Sequence, residues 1–579
     1  MSDGSTAKVA EYPAGEVVGR REQEPCAWMS TCSEAGIAWV CEAIGSRAFA
    51  KIAERFKRSM HHRLSTSTDL MLTSRGIEPT ETIAWEYVNA FFDNCWEARI
   101  GLIHRSDFEA QLQAHFHNET YSRNDYPMIA LRNVVFAAGY RSILANTPSV
   151  SFSTAQTKPW QCYFKNALSV LTKLLLSPPK LMTVQALALM ACYVEGLGSP
   201  GFQRVLCYNA VHAAVTQGLH RESDYLTETS SDDSLKKAWL WWALYAQEKH
   251  ISLTSGRASM IDDHIRSTRV PSRVPVDSNM DLECLSLQIR HAEISSRISR
   301  EIMSTKATRS STDELLRTVK DLGQQLKDLV DEIPPGLQIG TLAKPSEEAH
   351  LISRRIQALQ LHFSIYGSLL AVHCQFFFPW ITSRFLNEGA ETSFLEPQIA
   401  LSSSTVAEAA RKILLAVRTV TTNVTTPTWL AFFYPIYAHM SLFIYILKYP
   451  TLSTVSSDLG LLDVCAGHFG HIEFITSSEI SVSLPRDSVN LAAKVVKAAK
   501  KRERQASGSK PEHPQCMGSL ETQDQALGDH NPSCPRFHGI SPTFGHTENF
   551  TGIETGGWNL FPFFDTISGN DFNFDHFEA

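Results

Sequence analysis

The 579-residue sequence lacks the short signatures that most directly announce a reaction. It has no G-x-x-x-x-G-K-[ST] to cradle a nucleotide phosphate, no H-E-x-x-H to seat a zinc ion and no G-x-S-x-G nucleophile turn. Its twelve cysteines stand singly from Cys26 to Cys534 without one C-x-x-C pair. That pattern implies neither a disulfide framework nor a zinc module, and reduced intracellular thiols are expected. Cys26, Cys32 and Cys41 do not follow zinc-ligand spacing, and His61, His62, His212, His220 and His439 have no companion ligand at a convincing interval. An N-terminal apolar signal segment is not seen. An excess of positive charge is missing too: the formal net charge is −7, so binding to nucleic acid requires a local basic patch or a partner. No enzyme, cofactor or metal is expected.

Strict apolar/polar alternation is also scarce, which argues against strands. What the chain has is apolar residues, 43% of the total with 10% aromatic, enough for a sizeable core. From Ile83 to about Tyr449 these fall into helix-length patterns separated by Gly, Pro, Ser or Asp, and the fold class is predicted to be all-α with disordered terminal segments. Val184, Leu187, Ala188, Ala191 and Val194 repeat at helical intervals. Trp239, Trp242, Ala243 and Ala246 do the same, with Glu248, Lys249 and His250 leading out of that helix toward Gly256. Leu315, Leu316, Val319, Leu322 and Leu326 form a third amphipathic unit ending before Pro334-Pro335. Ser33 to Met60 carries similar spacing. Thr428 to Leu447 has no charged residue and is long enough to cross a bilayer; with Pro435, His439 and Ser441 inside it, it reads as a buried core helix, and Leu361 to Trp380 is a more polar case.

One stretch, E-G-L-G-S-P-G from Glu195 to Gly201, does contain G-x-G-x-x-G at Gly196, Gly198 and Gly201, with acidic Glu222 downstream. A dinucleotide site needs a strand before the first glycine. Here a helix precedes it, so the glycines read as a helix-to-helix turn, Gly196 and Gly198 at positive-φ positions and Ser199-Pro200 opening the next helix.

Two features lie outside the helical body. Lys494, Lys497, Lys500, Lys501, Arg502 and Arg504 form a basic run, either a solvated helix face or a nuclear-import or nucleic-acid patch. The last thirty residues place Trp558, Phe561, Phe563, Phe564, Phe572 and Phe574 among Glu and Asp with no Lys or Arg. Rings with no core to receive them suit a partner's groove, and the interspersed acids oppose collapse.

Three phrases resemble the middle homology domain of fungal zinc-cluster transcription factors. Phe91-Phe92-Asp93-Asn94-Cys95 leads to Ile103-His104-Arg105-Ser106-Asp107-Phe108; Val184-Gln185-Ala186-Leu187 and Tyr193 lead to Gly218-Leu219-His220-Arg221; and Ala238 through Lys249 precedes Gly256-Arg257 and Ile261-Asp262-Asp263. The likeness runs from about Trp85 to Pro271, with weaker echoes to Tyr449. It departs from the family's pattern at Trp96 to Gly101 and at Ala258, and above all in the lack of two C-x2-C-x6-C halves that would bind zinc and place a helix on DNA. Zinc is therefore expected only if such a cluster exists, and direct DNA binding by this chain is not expected.

The resemblance implies a nuclear transcriptional regulator that reaches DNA through a partner, as a homo- or hetero-oligomer with a DNA-binding regulator, and that contacts a coactivator or the transcription machinery. No membrane role is expected. Trp239, Trp242, Tyr245, Gly256, Arg257, Asp262 and Asp263 are expected to be architectural, with Arg257 and one of the two aspartates fixing the loop. Four regions follow: an N-terminal segment, 1–82; the helical domain, 83–450; a mixed segment and linker holding the basic run, 451–535; and an acidic-aromatic tail, 536–579.

Overall fold

The computed structural model describes residues 28–65, 76–117, 125–196, 200–222, 232–304 apart from Asp277 and Asn279, 307–342, 349–386 and 395–507. Among them every regular element is helical and no strand occurs. The apolar spacing that opens the chain forms two helices, α1 (Glu34–Ile44) and α2 (Ala48–Ser65), broken by a turn at residues 45–47. Ser33 caps the first by accepting the Gly36 N–H at 3.1 Å, satisfying a donor that the helix itself leaves open.

Two apolar cores follow. The first is built by α3 (Glu81–Asn94), α4 (Arg105–His117), α5 (Tyr126–Ala145), α6 (Leu181–Glu195), α7 (Pro200–Thr216) and α8 (Asp232–Ser255), with α6 packed against both α5 and α7. The second is built by α10 (Thr312–Asp331), α11 (Ala349–Phe377), α12 (Glu396–Val417), α13 (Tyr434–Lys448), α14 (Val455–Ile475) and α15 (Leu484–Ser507). Between them stands α9 (Leu282–Glu301), which faces both ways. Leu285, Ile289 and Ala292 enter the first core, while Cys284, Leu287, Ile294 and Ile298 enter the second. Each set keeps helical spacing, at intervals of three, four or seven residues, so one helix presents two apolar stripes. Burying a Leu or Ile of this kind contributes about 1.5 to 3 kcal/mol, and here both sides of one element supply it.

Helices α1 and α2 pack on each other and not only there. They dock on the second core, where Phe49 stacks on Phe443 at 5.8 Å, Trp39 meets Trp380 at 6.0 Å, and the Trp380 indole donates to Ser30 Oγ at 3.2 Å. Residues 455–475 and 484–507, with little periodic signal at first reading, are helices whose Val455, Leu462, Phe469, Leu484 and Val489 complete the same core.

Among the described residues two helical stretches are long and apolar enough to span a bilayer, Tyr126–Ala145 and Trp429–Lys448, and they lie 78% and 94% buried inside the protein. Burial among other helices accounts for their apolarity. The more polar stretch from Leu361 likewise runs inside the second core along α11.

Candidate functional site

The aromatic helix α8 is where the sequence concentrates its large rings. Trp239, Trp242 and Tyr245 fall three residues apart on one stripe, all buried, and each satisfies its polar atom against the segment that follows the helix. The Trp239 and Trp242 indoles donate to the carbonyls of Arg273 and Arg269 at 3.0 and 2.9 Å, and the Tyr245 hydroxyl donates to Asp263 Oδ1 at 2.8 Å. Arg266 lies 5.1 Å from the rings of both Trp242 and Tyr245, a cation over two ring faces.

Asp263 is the hub of the loop. Its nearest cation is Lys249, 3.0 Å away and almost fully buried. The Lys249 ammonium also donates to Ser259 Oγ, the Ile261 carbonyl and Ser296 Oγ, and Ser296 donates to Asp263 Oδ2 at 2.6 Å. Burial works against ionisation of Asp263, but the Ser296 hydrogen bond and the Lys249 charge hold its carboxyl below the usual range. Asp262 instead accepts the His264 N–H at 3.0 Å, capping a short helical turn. Gly256 takes φ +64, and Arg257 N–H bonds back to the Ser252 carbonyl at 3.0 Å, closing the helix end in the left-handed conformation that favours glycine. Glu248, Lys249 and His250 do not lead out of the helix; α8 continues through them to Ser255. Glu248 holds the same loop through Ser252, Ser259 and the Met260 N–H. These contacts are structural scaffolding around the aromatic stripe.

A second polar cluster lies where the two cores meet. Arg141, on apolar α5, donates to Glu97 Oε1 at 3.2 Å and to the Tyr193 carbonyl at 3.3 Å, with its guanidinium 4.3 Å from the Tyr193 ring. Next to it Glu195 ends α6 and reaches across the junction: its carbonyl accepts from Thr428 Oγ1 at 2.8 Å and its carboxyl accepts the Trp429 N–H at 3.1 Å. Glu195 thus caps the start of the long apolar helical stretch in the other core. Burial drives its pKa up from 4.5 to about 8, against the two backbone N–H groups that favour the charged form. Burial likewise raises the Glu97 carboxyl, with Arg141 opposing. Beside these groups opens a cavity of about 60 Å³ lined by Trp96, Glu195, Gln247, His250, Gln288 and Trp429 among others.

Gly196 departs from the positive-φ expectation, with φ −66 and ψ −15 in the ordinary helical region. A Cβ there would sit 2.9 Å from Arg141 Nη1, so glycine serves close approach of the guanidinium. Gly201 lies within α7, Gly198 lies outside the described residues, and a helix, not a strand, precedes the glycines.

The basic residues Lys494, Lys497, Lys500, Lys501, Arg502 and Arg504 are all exposed on α15, whose Val489, Ala492 and Val496 face the core. The tail residues Trp558, Phe561, Phe563, Phe564, Phe572 and Phe574 lie outside the described residues, as does Cys26. His439 is a core histidine bonded to Ser488 Oγ at 2.7 Å. Among the described residues no group of three or more His, Cys, Asp or Glu is arranged to hold a metal ion. Sequence reasoning missed Glu97, Arg141 and Glu195 as a cluster. The available signal was a charge within or closing a largely apolar segment.

Two helical cores joined by a buried polar cluster, with a closely capped aromatic helix, define a large all-α body built for packing and contact. Residues 88–331 match the fungal specific transcription factor domain. It is 27% identical over 480 residues to an ABC-transporter-regulating transcription factor of Aspergillus fumigatus, covering 79% of this chain and 52% of the relative. It is 26% identical over 545 residues to a protein of the same name from Aspergillus oryzae, covering 89% and 59%. Lactose regulatory protein LAC9 of Kluyveromyces lactis is 30% identical over 205 residues, 35% of this chain and 21% of that protein. The chain spans a little over half the length of the two Aspergillus relatives.

Proposed function

We propose that this protein is a transcriptional regulator acting in the nucleus, its helical body serving regulation or oligomerisation. The match of residues 88–331 to the transcription factor domain carries this reading. The exposed basic face of α15 serves as the import signal. Residues 550–579 serve as an activation segment: Trp558, Phe561, Phe563, Phe564, Phe572 and Phe574 dock on a coactivator while the acids between them steer encounter. Contact with DNA is made through a partner regulator, since a chain of net charge −7 has no global attraction to phosphate. Fusing residues 536–579 to an unrelated DNA-binding domain is expected to activate a reporter, and alanine at the six aromatics to abolish it. Absence of activation by the unaltered fusion would sink the tail's role.

The greater length of the Aspergillus relatives favours a second reading, a DNA-binding zinc-cluster regulator of which this sequence is a part. Mapping the 5′ end of the transcript separates the two. The names of those relatives make ABC-transporter genes the first targets to examine, by comparing transcript levels with and without the gene.

A further inference from the structure

We propose that the cavity between the two cores binds a small molecule bearing an ammonium or guanidinium group, held by the Glu195 carboxylate and by the rings of Trp96 and Trp429. The inference is independent of the tail and of any contact with DNA. Three observations select that chemistry. First, the cluster beside the cavity sets two carboxyl groups, Glu97 and Glu195, against one guanidinium, Arg141, which is already engaged with Glu97 and the Tyr193 carbonyl. A cation arriving from the cavity favours the charged form of Glu195, which burial otherwise opposes. Second, two polar atoms in the lining are unmatched: Gln247 Oε1 and His250 Nε2 are buried without a hydrogen-bond partner. His250 Nδ1 meets Ser364 Oγ at 3.3 Å, and with the proton on that nitrogen Nε2 is an acceptor. A carboxylate, a carboxamide oxygen and an imidazole nitrogen together ask for a donor-rich head. Third, Trp96 and Trp429 are aromatic walls, and aromatic faces attract cations. The cavity of about 60 Å³ is room for a few waters or a head group of a few heavy atoms. Gln247, Gln288 and Gln360 in its wall are only half-buried, which leaves a way out for the rest of the ligand.

The titratable groups facing Glu195 are Glu97 and Arg141 from the α3–α5 side, Cys192 on its own helix, and His250 and His291 across the cavity. With burial raising the Glu195 pKa and leaving both imidazoles neutral, a cation that binds at pH 7 displaces the Glu195 proton. The test is calorimetric titration of the full chain with butylguanidinium and propylammonium, with propionate and propanol as anionic and neutral controls. Two buffers of different ionisation heat read the proton. Saturable binding of a cationic probe with proton release is expected, at least tenfold weaker in Glu195→Gln. Ala246→Leu, which narrows the cavity and keeps the acid, is expected to weaken it as much, with thermal unfolding confirming that both variants fold. Lack of saturable binding by either cation, equal binding of propionate, or affinity unchanged in both variants would overturn the proposal.

Discussion

Glu195→Gln is expected to make the protein more stable at neutral and alkaline pH, although it replaces an ionisable residue in a hydrogen-bonded site. The carboxyl is buried, and its pKa stands near 8 in place of 4.5. A native pKa above the unfolded value means that between these two pH values the native state holds a proton that the unfolded chain has released. Stability from this group is therefore full below pH 4.5 and is lost as pH rises toward 8, by about 1.4 kcal/mol per pH unit. Over the whole window the loss is on the order of 5 kcal/mol, and at pH 7 about 3 kcal/mol. Glutamine cannot ionise and its amide oxygen can still accept the Trp429 N–H, so the variant is spared that loss. Urea unfolding of both proteins at pH 5, 6, 7 and 8 gives the difference in stability, in which the titration of other groups cancels. The difference should open steadily with pH in favour of the variant. A constant difference, or one that closes, would refute the assignment of Glu195 as a buried acid that ionises at a cost.

Three further outcomes are expected. Asp263→Ala removes the carboxylate beside the buried Lys249 ammonium and should destabilise the protein by about 3 to 5 kcal/mol, because an uncompensated buried charge remains; a midpoint in urea within error of the unaltered protein would contradict the hub role. Burial lowers the pKa of His250 and His439 to about 3 and of His291 and His373 to about 4, so their contribution is present above pH 6.5 and lost as pH falls toward 3, and His439→Phe, if tolerated by the core, should flatten part of that acid limb. Alanine at the six basic residues of α15 should shift a fluorescently tagged protein from nucleus to cytoplasm while leaving thermal unfolding nearly unchanged, since all six side chains are exposed.

The helical class was legible because spacing at 3.6 residues survives whatever the tertiary context is. Val184, Leu187, Ala188, Ala191 and Val194 are all buried on one helix, and the Trp239, Trp242 and Tyr245 stripe forms as its intervals require. Sequence could not show which partners those stripes meet. The two-sided role of α9 depends on having cores on both flanks, and its apolar residues look like a single irregular pattern until both are present. Helices α14 and α15 were obscured by Ser, Asp and Lys on their solvent faces. Gly196 looked like a turn glycine because its reason for being glycine, Arg141, lies more than fifty residues upstream. The same distance hid the junction cluster: a buried Glu is recognisable by its apolar neighbours, but its partners at Thr428 and Trp429 are more than two hundred residues away.

The docking of α1 and α2 sets an order of events during synthesis. The Ser30 and Trp380 side chains bond across 350 residues, which at about 5 to 20 residues per second is a delay of roughly 20 to 70 s on the ribosome. Through that interval Val40, Phe49, Ala53 and Phe56 have no core to enter, and α9 and α10 emerge with apolar faces awaiting α11. These two early helices are thus among the last to be locked, and a nascent chain stopped near residue 331 still carries the apolar faces of α1, α2 and α10 without their partners. Chaperone capacity, more than the stability of the finished fold, would then govern how much of this protein a cell accumulates.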